Sequence, residues 1–174
     1  MDKRELIGVL QELDRRLRSP VDVVLVGGAA MILHFEARRA TRDIDVLVLR
    51  GNLAELRAAA KTVAAQRDLP ENWLNDAVKG FADVLPPDFY HRLTPLAFTF
   101  RQLRLYALGR PEQAAMKIVA LREQDLEDLE LLLPPMSVEE RQVLVAIMHH
   151  LSQVRPDWAQ KLQYFLEEQG WPID

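Results

Sequence analysis

Two aspartates one residue apart, Asp43 and Asp45, open the otherwise apolar run DIDVLVL. On a strand, alternate side chains share a face, so both carboxylates point one way while Ile44, Val46 and Val48 point the other. Like charges held close together repel, and a cation between them removes that cost. A hard divalent ion such as Mg²⁺ (or Mn²⁺) suits the position, because it takes oxygen ligands and keeps sites open for phosphate. Upstream, the β-branched run VDVVLVGG ends on Gly27 and Gly28. Residues without a Cβ let the backbone approach a ligand closely, and the N–H groups of a helix start favour an anion. A phosphate chain on those amides, with its metal on the two aspartates, is one consistent chemistry. Plainer readings exist for each part: the glycine pair as a tight turn, the aspartates as solvated strand-end charges. The ordered series strand, Gly-Gly, helix, short loop, T-R-D-I-D, strand is far more restrictive than either part alone.

The elements that must position these residues follow from periodicity. Leu6, Val9, Leu10, Leu13 and Leu17 recur at helical spacing and predict a helix over 3–18, stopped by Ser19-Pro20. VDVVLVGG reads as a buried strand, AAMILHFEA as a helix, and DIDVLVL as a second strand closed by Gly51-Asn52. LAELRAAAKTVAAQR is a helix by propensity. Residues 68–92 are less regular. LAFTFRQLRLYALG suggests one or two strands with a bend near Arg101-Gln102. EQAAMKIVALREQDLEDLELLL reads as one long helix, with Pro111 in its first turn and Pro134-Pro135 ending it. Ser137 and Glu140 have capping-box spacing ahead of two further helices, 138–153 and 156–168. Strands confined to the first two-thirds and helices alone thereafter make an α+β layout. We expect residues 1–110 to form an α/β core and 111–174 a set of helices packed on it as one structural unit.

Composition narrows the function. With 174 residues and 49% of them hydrophobic, the chain can bury a core. No apolar run approaches the roughly 20 residues that span a bilayer, and the start MDKRELIGVLQELDRRLRS is a charged amphipathic pattern. The expectation is a soluble, cytoplasmic protein with no membrane partner. Cysteine is absent, which excludes disulfides and thiolate metal sites. A net charge of −4 argues against nucleic-acid binding by bulk charge and leaves room for a local patch. Arg38, Arg39 and Arg42 form such a basic run, able to attract phosphates or to stand as a solvated loop. Trp73 suits packing or a base-stacking platform.

The segment VGGAAMILHFEARRATRDIDVLV resembles the signature of the DNA polymerase β-type nucleotidyltransferase superfamily. Its Gly-Gly version, followed by R-x-T-x-D-I-D, is similar to minimal nucleotidyltransferases related to the toxin of AbiE-type toxin–antitoxin systems. The match is specific over residues 23–48 and extends more weakly to ENWLNDAVKGF and RPEQAAMKIVALREQDLEDLELLL. The resemblance implies a small mixed sheet flanked by helices, followed by a C-terminal helical segment. It implies transfer of a nucleoside monophosphate from an NTP to an acceptor such as tRNA or another protein. Gly27 and Gly28 would hold the triphosphate, Asp43 and Asp45 the metal. Thr41 and Arg42 would shape the loop before the metal strand. Lys117 would neutralise triphosphate charge, and Asp125 or Asp128 would complete the acidic site. On one continuous helix Asp128 lies about 20° and Asp125 about 80° around from Lys117, so all three share a side.

One departure bears on activity. Many members of the superfamily carry a third carboxylate on a later strand, yet the segment from Phe89 to Pro111 contains no Asp or Glu. The later helix supplies the acid, one metal suffices, or the protein is a catalytically inactive module that binds nucleotide or a partner protein, antitoxin-like.

Overall fold

The computed structural model describes residues 1–76, 80 and 84–173. The stretch ENWLNDAVKGF therefore lies outside the described residues at 77–79 and 81. The chain forms two compact units, Met1–Lys79 with Leu93–Leu108, and Gly80–Arg92 with Gly109–Asp174.

The first unit is an α+β arrangement around a mixed sheet. Its helices are α1 (Lys3–Arg16), α2 (Gly27–Leu33) and α3 (Leu53–Arg67). Its strands are β1 (Val21–Val26), β2 (Ile44–Arg50), β3 (Leu74–Asn75), β4 (Thr94–Pro95) and β5 (Leu103–Ala107), in the order β3-β2-β1-β5-β4. β1 runs antiparallel to β2 and parallel to β5. β3 joins β2 in parallel, and β4 joins β5 antiparallel. Asp2 caps α1 in a capping box with Glu5, and the apolar stripe Leu6, Val9, Leu10, Leu13 is buried as its spacing predicts. That stripe packs with Val21, Val23 and Leu25 of β1, Ile44 and Val46 of β2, Leu103 and Leu105 of β5, and the buried face of α3. Alternation then puts Asp45 on the sheet face opposite this core. Trp73 is part of the core, and its Nε1 donates to the Ala60 carbonyl at 2.9 Å, so packing is its role here.

The second unit holds a 3-10 turn (Pro87–Arg92) and helices α4 (Arg110–Ala120), α5 (Glu123–Leu132), α6 (Val138–Val154) and α7 (Pro156–Glu168). Ser137 and Glu140 close the expected capping box at α6. The long helix expected over 112–133 is instead two helices. Leu121 adopts a left-handed conformation (φ 43°) and ends α4, and the Asp125 carboxylate accepts the Arg122 N–H at 3.0 Å to start α5. A local side-chain bond to the backbone thus wins over continued helix at a position that periodicity alone reads as helical. Among the described residues, no helix is long and apolar enough to cross a membrane.

The stretch before β5 is a bend rather than a strand, and Asp14 explains it. From the last turn of α1 this buried carboxylate accepts the N–H groups of Arg101 (2.9 Å), Gln102 (2.7 Å) and Leu103 (2.8 Å). Three amides that a ladder would pair are satisfied by one side chain instead. Burial pulls the Asp14 carboxyl upward, but the three N–H donors outweigh it and hold it below its ordinary 3.8. Because the folded value is depressed, the contribution is present above the ordinary carboxylate range and is lost as pH falls through the folded value. Asp14→Asn should lower the unfolding free energy at pH 7 by about 1.5–3 kcal/mol, the scale of a bond to a charged group. In urea titrations, the gap between the two proteins should narrow below about pH 4.

Candidate functional site

The site is assembled where β1 turns into α2 beside the start of β2. Gly27 has φ +59°, a left-handed conformation that costs an L side chain about 1–2 kcal/mol. A Cβ there would meet Asp45 Oδ2 at 3.2 Å. At Gly28 a Cβ would meet Thr41 Oγ1 at 2.7 Å and Arg39 Nη1 at 3.5 Å. The glycine pair and the T-R-D-I-D loop, 14 positions apart between Gly27 and Thr41, are therefore in direct contact. The sheet register agrees, since Val26, the last residue of β1, lies opposite Asp45.

The loop itself is tied down. The Thr41 hydroxyl donates to the Asp43 carbonyl at 3.1 Å, and the Thr41 N–H donates to the Met1 carbonyl at 2.9 Å. β2 begins at Ile44, one residue after Asp43, so Asp43 leads into the strand and Asp45 lies within it. Arg42 is exposed on the same loop. Sequence reasoning missed Asn75. It pairs with Asp45 across β2 and β3, and its Nδ2 donates to Asp45 Oδ1 at 2.7 Å. The bond fixes one oxygen of the carboxylate. Its signal lay only in the weakly matching ENWLND stretch, because a two-residue strand leaves no periodicity to read.

Lys117, Asp125 and Asp128 belong to the second unit and come together there. Lys117 Nζ lies 2.7 Å from Asp125 Oδ1 and 2.7 Å from Asp128 Oδ2, with all three side chains buried. The helix corner at Leu121, not one continuous helical face, creates the meeting. Burying an ammonium is costly unless carboxylates surround it, and two do. The Lys117 ammonium is engaged by both aspartates, and Asp125 also holds the start of α5.

Among the described residues, no group of three His, Cys, Asp or Glu side chains is placed to hold a metal. Asp43 and Asp45 are a two-carboxylate set. Mg²⁺ commonly binds through one or two carboxylates and completes its shell with substrate phosphates and water. The donor set thus fits an ion that shares its shell with nucleotide phosphates, and it lacks the His or Cys ligands of a protein-enclosed zinc site.

Comparison with known proteins agrees with this geometry. A family model described as "Nucleotidyltransferase of unknown function (DUF6036)" matches residues 4–164. Among solved structures, an antigenic nucleotidyltransferase-like protein from Paracoccidioides brasiliensis is similar over 94% of this chain and 94% of that one, with a TM-score of 0.50. At 16% identity the likeness concerns the fold. No curated protein matches the chain.

Two substitutions test the local packing. Gly28→Ala should cost about 1–3 kcal/mol through overpacking, and much of that cost should vanish in a Thr41→Ala background, read as a double-mutant cycle of unfolding free energies. Lys117→Met should cost about 3–5 kcal/mol by leaving buried carboxylates without their counter-ion. Adding Asp125→Asn and Asp128→Asn should restore part of it, and a triple variant no more stable than the single one would contradict the buried-ion account.

Proposed function

The chain belongs to this nucleotidyltransferase family of unknown function, and from that premise we propose that it transfers a nucleoside monophosphate from an NTP to an acceptor hydroxyl in a metal-dependent reaction. One observation carries the reading: the Gly27-Gly28 turn packs directly on Asp45 and on the loop that leads into Asp43. Continuing the strand alternation one residue back from Ile44 puts Asp43 on the side of Asp45.

In the reaction, the acceptor oxygen attacks the α-phosphorus and its proton passes to solvent or a base. The bond from the α-phosphorus to the bridging oxygen breaks, and pyrophosphate leaves. Mg²⁺ or Mn²⁺ held by Asp43 and Asp45 would supply Lewis-acid polarisation of the phosphate and acidify the acceptor hydroxyl. The backbone amides of Gly27 and Gly28 bind phosphate oxygens at close range, because no Cβ stands between. Asn75 holds Asp45 in one orientation, and Thr41 braces the entry of Asp43 into β2. Lys117 belongs to the second unit, where its charge is shared between Asp125 and Asp128. The finer reading is a toxin-like enzyme similar to AbiE-type toxins, acting in the cytoplasm, where nucleoside triphosphates and Mg²⁺ are abundant.

A second reading has one observation in its favour. The two-carboxylate set has no third acid among the described residues, as expected of a module that binds nucleotide without transferring it. Titration with each NTP in the presence and absence of Mg²⁺, followed by incubation with α-labelled NTP and pools of tRNA or protein acceptors, separates the two. We expect Mg²⁺-dependent binding that is lost in Asp43→Asn/Asp45→Asn, while the double variant stays folded and gains a few tenths to about 1 kcal/mol from relieved repulsion. Binding without label transfer would select the inactive module. Unfolding of the double variant would make the aspartates structural.

A further inference from the structure

In the first unit, an open groove of about 630 Å³ runs between the start of α1 and the loop after α2. Lys3 and Arg4 line it from the start of α1, and Arg38 and Arg39 from the loop after α2. Ile32 and Ala37 form its apolar floor, and Asp2 and Glu36 are its acidic members. Asp2 is committed to the α1 cap, accepting the Glu5 N–H at 2.8 Å. The lining is thus a local excess of positive charge on a chain whose net charge is −4.

These cations are gathered along one groove. Several basic side chains elsewhere face carboxylates: Arg57 faces Asp76, Arg67 faces Glu12, and Arg155 faces Asp157. Lys3, Arg4 and Arg38 are exposed, and among the described residues none has an ion-pair partner. Leaving like charges unneutralised side by side is unfavourable, and a polyanion laid along them removes that cost. Arg39 links the groove to the candidate site, since its guanidinium also reaches the position above Gly28. The same loop then carries the cations onward to Arg42 and Asp43.

We propose that this groove seats the phosphodiester backbone of a nucleic acid. Resting on the nucleotidyltransferase reading, the acceptor is then a polynucleotide and not a protein. A single NTP has its phosphates clustered at one point, whereas cations contributed by two separate segments to one open groove suit a chain of spaced phosphates. Contacts of this kind are sequence-independent and release counterions.

The test uses the full chain and short labelled single-stranded RNA and DNA, with binding read by fluorescence anisotropy from about 50 to 200 mM salt. Lys3→Gln/Arg4→Gln/Arg38→Gln should weaken binding about tenfold or more at low salt. It should also flatten the slope of log K against log salt by about 2, at roughly 0.7 per lost contact to a single strand. Arg15→Gln/Arg50→Gln, which removes exposed cations outside the groove, should change affinity less than about twofold. Mg²⁺-dependent NTP binding should be the same in the triple variant as in the parent. Preference for RNA or for DNA identifies the source of the backbone, and equal binding means that charge alone is read. No oligonucleotide binding by the parent, equal loss in both variants, or label transfer to protein only would overturn the proposal. If oligonucleotide binding behaves as expected but no NTP binds, the groove stands and the transfer reading falls.

Discussion

The end of β1 has no room for a side chain. At Gly27 a Cβ would press on Asp45, and at Gly28 on Thr41. This close approach lets the central strand turn straight into α2 while β2 arrives alongside, and it brings a backbone turn and a carboxylate strand within van der Waals reach. The rest of the first unit serves that junction. β1 is held between β2 and β5, its inner face is locked into the core by Val21, Val23 and Leu25, and its end cannot shift without moving Asp45. Glycine at such a position sacrifices chain entropy, and the buried face of the sheet offsets that loss.

Charge placement separates the parts of the molecule by task. Asp14 is buried and spends its oxygens on three backbone amides, which makes it an architectural group. In the second unit, Lys117 is enclosed by two aspartates, and Arg92 bridges Asp88 and the buried Glu112 at 2.7 and 2.5 Å. These networks balance charges that would be prohibitive if left alone in a low-dielectric interior. The loop between α2 and β2 follows another rule. Its arginines are at least partly exposed, and Asp43 at its end and Asp45 in β2, separated in the chain by Ile44, are both half-buried. Where the interior networks close on themselves, this loop presents charge outward, the condition for meeting phosphate and a divalent ion.

Much of this could be read from residue order. The apolar stripe of α1, the β-branched run ending in Gly-Gly, the capping box at Ser137 and the alternation around Asp45 are local patterns. Local patterns specify helices, strands and their buried faces because side-chain direction follows directly from backbone period. Residue types named the chemistry too: two carboxylates at strand spacing and a glycine pair are the same groups whatever surrounds them.

What residue order left open depended on partners distant in the chain. Asp14 reads as one more charge on an amphipathic helix until the fold brings residues 101–103 to it. Asn75 carries no pattern, because its strand is two residues long and its importance is the neighbour it finds in Asp45. Lys117, Asp125 and Asp128 do meet, but a helical-wheel argument placed them on one face, whereas a left-handed Leu121 folds one helix back against the next. Residue order carried most of the longer elements, their buried stripes and the kinds of group at the site, since those follow from periodicity and functional-group chemistry. Only the tertiary structure decided which charges neutralise each other and which face outward, because Coulomb and hydrogen-bond partners are selected by distance in space and not by separation along the chain.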